Sequence, residues 1–316
     1  MDRLRVAFLG PLASFSHQAA SESFGNKLAD LIPHLSFADA FAALQSQKAD
    51  YAVIPCENST NGSVVQTLDL LADRNDQYKD VKVCGEYYLT VHHCLLVHKG
   101  SYRSGWSGYD GSITKLYTHP QAWGQCESVL SQYFKGVERQ DVSSTSKGAE
   151  IVSKHPEEKA AAIASRFAAE FHGVDVLKEN IEDRADNTTR FLILRNVLAE
   201  KTARLDLEQP NAPTSAEIPA HDSTHKTLIT FSIDHSSPGA LAEALLIFKK
   251  HGLNLTTINT RPSLKRAWQY IFFVECGRTP SDENKDAVVK ALQDLRDVTE
   301  YCRDMGTWKD QLGQSA

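Results

Sequence analysis

Asp183-Arg184-Ala185-Asp186-Asn187-Thr188-Thr189-Arg190-Phe191 runs straight into the apolar stretch Leu192-Ile193-Leu194. A polar loop carrying two hydroxyls, an amide and a guanidinium is joined directly to a strand that reads as buried. Such a junction holds small hydrogen-bonding groups rigidly at a strand edge, where a site can be built. Asp, Asn and Thr are also ordinary turn residues, and taken alone the stretch reads as a capped, solvated loop. The decision turns on whether other strands end in the same way.

They do. Val6-Ala7-Phe8-Leu9 is a short apolar run closed by Gly10-Pro11, and Ser16 is the predicted cap of a helix starting at Gln18-Ala19-Ala20. Loop N–H groups at such a helix start attract an anion. Residues 38–47 repeat apolar side chains at helical spacing. Tyr51-Ala52-Val53-Ile54-Pro55 is the next buried strand, followed by Cys56-Glu57-Asn58-Ser59-Thr60-Asn61-Gly62-Ser63 and a predicted helix over 64–72. Strand, helix, strand, helix implies a parallel sheet, whose ligands gather at the carboxyl ends of strands. Residues 81–97 carry one long strand-like pattern. Within it His92 and His93 point to opposite faces and cannot readily share a metal ion, so a structural role is assigned to both. Residues 99–111, rich in Gly and Ser, read as a loop.

Residues 113–117 form a strand, and Pro120 suits a first helical turn capped by Thr118 or His119. Gln121 and Gln125, four apart, share one helix face. Residues 138–142 are extended, Ser144-Thr145-Ser146 opens another helix, and 160–165 is a strand running into a helix that ends near His172. Polar loops around Ser14, Asn58, Thr118 and Ser144 therefore sit at successive helix starts, as a bilobal α/β cleft requires.

Residues 199–224 hold three prolines and no apolar period, and read as a linker. Beyond it the order is strand (226–234), helix (to about 250), strand (253–259), strand (268–276), helix (282–295), strand (298–303). That order is ferredoxin-like and by itself names no function.

Bulk properties agree with two domains in 316 residues. Apolar content of 41% and charged content of 23% are those of a soluble globular protein, and a net charge of -6 gives no nucleic-acid footprint. No apolar run approaches the ~20 residues of a membrane helix, and the N-terminus reads as a strand, not a signal peptide. A cytosolic chain is expected. The six cysteines form no C-x-x-C pair, so reduced thiols are the default. No dinucleotide fingerprint, P-loop or H-E-x-x-H is present, so no cofactor and no metal are assigned.

Four elements together resemble the prephenate dehydratase family with a C-terminal ACT regulatory domain. The family's G-P-x-G-T-[FY]-S start stands here as Gly10-Pro11-Leu12-Ala13-Ser14-Phe15-Ser16. Its [VI]-P-x-E-N-S-x-x-G-x-V stands complete from Ile54 to Val64. Its S-H-P-Q…Q-C is Thr118-His119-Pro120-Gln121 with Gln125-Cys126, and its N-x-T-R-F is Asn187-Thr188-Thr189-Arg190-Phe191. Ala13 replaces a glycine, and the family's E-S-R-P element keeps only Arg-Pro in Asn259-Thr260-Arg261-Pro262.

The resemblance implies a type II periplasmic-binding-protein-like catalytic domain over 1–200. Its lobes would be roughly 1–80 with 180–200, and 81–179. A linker over 201–224 and a βαββαβ ACT domain over 225–316 would follow. It implies conversion of prephenate to phenylpyruvate, water and carbon dioxide, with Thr189, Asn58 and Gln125 in catalytic roles. Ser14, Phe15, Ser16, Glu57, Ser59, Thr118, His119, Gln121, Asn187, Arg190 and Phe191 would bind substrate, although Arg190 could instead pair with Asp183 or Asp186. Phenylalanine would bind as effector at Gly239, Ala240, Leu241, Asn254, Arg261 and Pro262 in a homodimer or homotetramer. The alternatives are an arogenate dehydratase and a non-catalytic bilobal binding or sensing protein.

Overall fold

The computed structural model describes residues 3–25, 28–102, 105–108, 110–203, 225–278 and 286–312, arranged around three sheets. The first sheet begins with β1 (Leu4–Leu9), α1 (Phe15–Phe24), β2 (Ala29–His34), α2 (Phe37–Gln45), β3 (Tyr51–Asn58), the two-residue β4 (Gly62–Ser63), α3 (Val65–Ala72) and β5 (Val81–Thr90). The chain then leaves for the second sheet. This contains β6 (Cys94–Val97), β7 (Lys115–Thr118), α4 (Pro120–Trp123), α5 (Glu127–Tyr133), β8 (Glu138–Asp141), α6 (Thr145–Lys154), β9 (Ala160–Ala164), α7 (Arg166–His172) and β10 (Asp175–Lys178). It returns through β11 (Thr188–Asn196) and the short α8 (Glu200–Ala203). The first sheet runs β2-β1-β3-β11-β5 with β4 on β3, and the second β10-β6-β9-β7-β8.

Several details differ from the sequence reading, among them Gln125, which lies in the turn between α4 and α5 and not on one helix face with Gln121. Residues 81–97 are not one strand. β5 pairs with β11 in the first sheet, whereas β6 pairs with β9 and β10 in the second. The chain crosses between lobes at 91–93, so the lobe border expected at residue 80 moves about ten residues on. The reason is that β11, on its way back, needs a partner on each side. It is sandwiched antiparallel between β3 and β5, a place that leaves its apolar run Phe191–Leu194 fully buried. Helix α1 is capped by Ser14, not Ser16: the Ser14 hydroxyl accepts from the His17 N–H at 3.2 Å. β2, which lacks a clear apolar alternation, is an edge strand paired only with β1, and there its Pro33 is tolerated.

The third sheet is built by β12 (His225–Ser232), α9 (Ala240–Lys250), β13 (Asn254–Pro262), β14 (Tyr270–Arg278), α10 (Ala287–Val298) and β15 (Tyr301–Lys309) in the order β13-β14-β12-β15. This is the ferredoxin-like arrangement. Residues 204–224, most of the expected linker, and 282–285, the start of the expected last helix, lie outside the described residues. One face of the third sheet packs on α9 and α10 through Phe231, Phe248, Val274 and Leu295. The other joins the first lobe, since Phe273, Met305 and Trp308 share one apolar cluster with Phe41, Ile54 and Leu192.

Candidate active site

Period-two alternation on two neighbouring strands sets the site. β11 pairs Thr189 with Asn58 of β3 and Arg190 with Glu57. Successive side chains on a strand point to opposite faces. Thr189 and Asn58 face a cleft of about 550 Å³ between the two lobes. Arg190 and Glu57 face the ferredoxin-like unit and line a separate cavity of about 490 Å³.

The Thr189–Asn58 pair is polarised by its surroundings. The Asn58 side-chain carbonyl accepts backbone N–H bonds from Thr60 at 3.0 Å and Asn61 at 2.9 Å. Its amide nitrogen must then point the other way, and it donates to Thr189 Oγ1 at 3.0 Å and to Asn187 Oδ1 at 2.9 Å. Thr189 Oγ1 therefore spends a lone pair on Asn58 and keeps its O–H as a donor toward the cleft. Asn187, 2% exposed, also accepts from the Thr60 hydroxyl.

The rest of the lining comes from helix starts. Ser14, Phe15 and Ser16 open α1, His119 and Gln121 open α4, and Ser144 and Thr145 open α6. The caps Ser14, His119 and Ser144 each accept from a backbone N–H in their own first turn. The positive ends of α1 and α6 thus open on the cleft. Among the described residues lining it there is no Asp, Glu, Lys or Arg. Burial lowers the pKa of His119, against the pull of Asp141, and that of His93. The described lining thus mixes apolar side chains with hydroxyl, amide and imidazole groups, and none of those described residues is an Asp, Glu, Lys or Arg.

Of the residues expected in the site, the structure gathers Thr189, Asn58, Gln125, Ser14, Phe15, Ser16, His119, Gln121 and Asn187 around this cleft. It does not bring five others there. Arg190 is tied to Glu86 and Glu275 on the far face, and not to Asp183 or Asp186. Glu57 and Ser59 line the second cavity. Phe191 is core, 1% exposed, and Thr118, fully buried, donates to the Ile163 carbonyl at 2.7 Å. Strand alternation turns Arg190 away from Thr189 and Glu57 away from Asn58, whereas Phe191 packs deeper, with Val6, Phe8 and Ala19. His93, given a structural role from the sequence, and Asn61, given no role there, both line the cleft. Sequence reasoning also noted the Ser144 loop without carrying it into the site.

The six expected effector residues are split within one chain. Gly239, at φ 87°, starts α9 close to the end of β12, whose Ser232 pairs with Ile271 beside the Pro262–Tyr270 pair. Asn254 pairs with Gly277 at the other end of β13, roughly 25 Å from Pro262 at the rise of a strand. Ala240 and Leu241 follow Gly239 in the first turn of α9. Arg261 makes two bonds, at 2.8 and 3.0 Å, to Asp69 of α3, and the Pro262 carbonyl accepts from Arg74 at 2.8 Å.

The sequence profile of the family described as prephenate dehydratase matches residues 6–197. A bifunctional chorismate mutase/prephenate dehydratase of Aquifex aeolicus is 36% identical over 312 residues, which are 99% of this chain and 75% of that protein. Among solved structures, GqqA, described as a novel type of quorum quenching acylase, superposes with a TM-score of 0.76 at 25% identity. The match covers 98% of this chain and 99% of that one. A prephenate dehydratase from Arthrobacter aurescens in complex with L-Phe superposes with a TM-score of 0.75 at 25% identity, over 97% of this chain and 90% of that one. Residues of all four family-like motifs line one cleft, the fold is that of solved prephenate dehydratases, and the profile spans over half of the sequence: the chain belongs to the prephenate dehydratase family.

Proposed function

We propose that the interlobe cleft converts prephenate to phenylpyruvate, water and carbon dioxide, with the Thr189 hydroxyl as donor to the departing hydroxyl group. The observation that carries this reading is the Asn58 amide. Pinned by the Thr60 and Asn61 N–H groups, it occupies a Thr189 lone pair and leaves the O–H free for the cleft.

The ring C–CO₂ bond breaks and its electron pair enters the ring. The ring then aromatises as the C–OH bond breaks with its own pair, and the hydroxide formed takes a proton from solvent to become water. The electrons balance within the substrate, so the step calls for no redox partner. A threonine hydroxyl is a poor acid, and full proton transfer ahead of departure is unfavourable. Thr189 acts instead through a hydrogen bond that strengthens as charge develops on the leaving oxygen. A preorganised donor of this kind is worth about 2.7–4 kcal/mol.

The substrate is a dianion, and the cleft offers it N–H and O–H donors in place of a cation. The starts of α1 and α6 and the amides of Gln121 and Gln125 suit the two carboxylates, and Phe15 suits the ring. With no Lys or Arg among the described lining residues, a carboxylate leaves as neutral carbon dioxide without breaking an ion pair to them.

The ferredoxin-like unit acts, on this reading, as an ACT-type regulatory domain. Phenylalanine would sit between Gly239-Ala240-Leu241 of one subunit and Asn254 of another, which requires a homo-oligomer, a homodimer or homotetramer. Arg261 and Pro262, bound to α3, would sense the effector from the catalytic side. The chain would work in the cytosol. The test is phenylpyruvate formation from prephenate by wild type and Thr189→Val, each with and without phenylalanine. Turnover lost in the variant supports the assignment of Thr189, and unchanged turnover overturns it.

A further inference from the structure

We propose that His93 is a positioning residue that decides which end of the Gln125 amide faces the cleft. The proposal rests on the reading of Gln125 as a contact to the substrate dianion. His93 lies at the crossing between lobes and is 1% exposed. Its backbone is held on both sides: its N–H donates to Glu182 Oε2 at 2.8 Å, and its carbonyl accepts from Ile181 at 2.9 Å. The Phe15 ring meets the imidazole edge-on, with centroids 5.7 Å apart and planes at 87°. A ring so clamped has little freedom to move.

Nε2 of that ring lies 2.7 Å from Gln125 Oε1, and Nδ1 is buried with no hydrogen-bond partner among the described residues. Burial disfavours the charged imidazolium, so the ring carries a single N–H. Two arrangements are possible. In one, the N–H sits on Nε2 and donates to the Gln125 carbonyl, and the lone buried Nδ1 is a bare acceptor. In the other, the Gln125 amide is turned so that its NH₂ donates to Nε2. The ring proton must then sit on Nδ1, where a buried N–H has no acceptor. An orphaned buried N–H is the rarer and costlier defect. The first arrangement therefore holds, and it is the one built around Gln125.

The consequence is one of sign. With Oε1 spent on His93, Gln125 offers the cleft its NH₂, two donors suited to a carboxylate or a leaving hydroxyl. The turned amide would offer a carbonyl oxygen, which repels both. His93 never needs to touch substrate to matter, and it acts through Gln125.

The test is steady-state kinetics of the full chain with prephenate for His93→Leu, His93→Gln, Gln125→Leu, Gln125→Glu and the double His93→Leu/Gln125→Leu, each checked for an unchanged thermal midpoint. His93→Leu should lower kcat/KM about tenfold, the scale of one lost oriented hydrogen bond. His93→Gln, which restores a side-chain N–H donor, should recover most of that loss. The double variant should be no worse than Gln125→Leu alone. Gln125→Glu keeps an acceptor for His93 but turns an anion toward the dianion, and should be worse than Gln125→Leu. Losses that add in the double variant overturn the positioning role while leaving Gln125 as a contact. Wild-type kinetics for Gln125→Leu overturn the contact itself and the proposal with it. Where His93→Leu does not fold, the decision falls to Gln125→Glu against Gln125→Leu, and equal losses overturn the proposal.

Discussion

Arg190 of β11 and Glu275 of β14 form an ion pair across the boundary between the first lobe and the ferredoxin-like unit, with both side chains under a tenth exposed. Glu86 of β5 meets the same guanidinium at 2.7 Å, Lys226 of β12 reaches Glu86 at 3.2 Å, and the Thr256 hydroxyl donates to Glu275 at 2.8 Å. Burial alone would weaken the Arg190 charge, and Glu275 and Glu86 more than offset it. Residue 190 thus anchors one unit to the other from the position next to the proposed leaving-group donor.

Removing one member of a buried, mutually compensated cluster leaves a charge without its partner, which costs about 3–5 kcal/mol. Arg190→Met should lower the urea midpoint by an amount of that order, and Glu275→Gln by less, since Glu86 still meets the guanidinium. In the folded fraction KM for prephenate should change little. A large rise in KM with unchanged stability would return Arg190 to the substrate site.

Asn58→Asp is a sharper probe of the leaving-group donor than deletion. An aspartate cannot donate to Thr189 Oγ1 and would instead accept the Thr189 hydroxyl, turning the donor away from the cleft. The variant should lose about a hundredfold in kcat, like Thr189→Val. The double variant should lose no more than either alone, since both remove one function. A further hundredfold in the double variant would give Asn58 a separate role. Single-turnover phenylpyruvate formation, which separates chemistry from product release, is the measurement.

Much of this was legible in the sequence. The runs Val6–Phe8, Tyr51–Ile54 and Leu192–Leu194 are buried strand segments, and the loops after the first two and before the third do meet in one cleft. What the motifs hide is facing. Thr189 and Arg190 are neighbours in one signature, yet they serve different cavities, because alternation only becomes directional once the partner strand and its register are known. The break at 91–93 was hidden for a related reason: β-rich residues continue through it, and only the pairing of β5 and β6 in different sheets reveals the crossing. With that crossing His93 changes from a strand residue into one lining the cleft.

That no Asp, Glu, Lys or Arg stands among the described lining residues of the cleft bears on substrate choice. Arogenate carries an ammonium where prephenate carries a keto group, and an ammonium moved out of water needs a carboxylate partner. Among the described lining residues none is acidic. The kcat/KM for prephenate should exceed that for arogenate by at least about tenfold, the scale on which an unpaired buried polar group is penalised. Gln121→Glu should narrow the ratio. A ratio near one in wild type would place a carboxylate elsewhere in the working site.

Asp50 gives the fold an acid limit. It is 4% exposed and accepts from the Arg5 backbone and guanidinium, each at 2.8 Å, and from Lys201 at 2.9 Å, joining β1, the entry to β3 and α8. Burial pushes its pKa up, but these bonds more than reverse that and hold it at about 2 against an ordinary 3.8. A depressed folded-state pKa contributes stability above the unfolded value, and that stability is lost as pH falls toward the folded one. The shift corresponds to about 2 kcal/mol. Asp50→Asn should therefore lower stability by an amount of that order at pH 7. The difference from wild type should shrink as pH falls from 4 to 2, followed by urea midpoints across that range. A constant difference would assign the loss to packing instead of charge.

Gly306 of β15 decides how closely the ferredoxin-like unit rests on the first sheet. Its φ is 121°, a region L side chains rarely adopt, and a Cβ there would lie 2.0 Å from the Val83 carbonyl oxygen of β5. That obstacle is backbone, so it cannot rotate aside as a side chain would. Gly306→Ala must push β15 off β5, straining the contacts of Met305 and Trp308 with the shared cluster and the Lys82–Asp304 pair. The expected loss is at the upper end for single substitutions, about 3 kcal/mol or more. Its location should be readable by amide hydrogen exchange: faster exchange in 81–90 and 301–309, with residues 160–164 of the second lobe unchanged. Uniform acceleration across all three sheets would mean that the contact supports the whole chain and not this boundary alone.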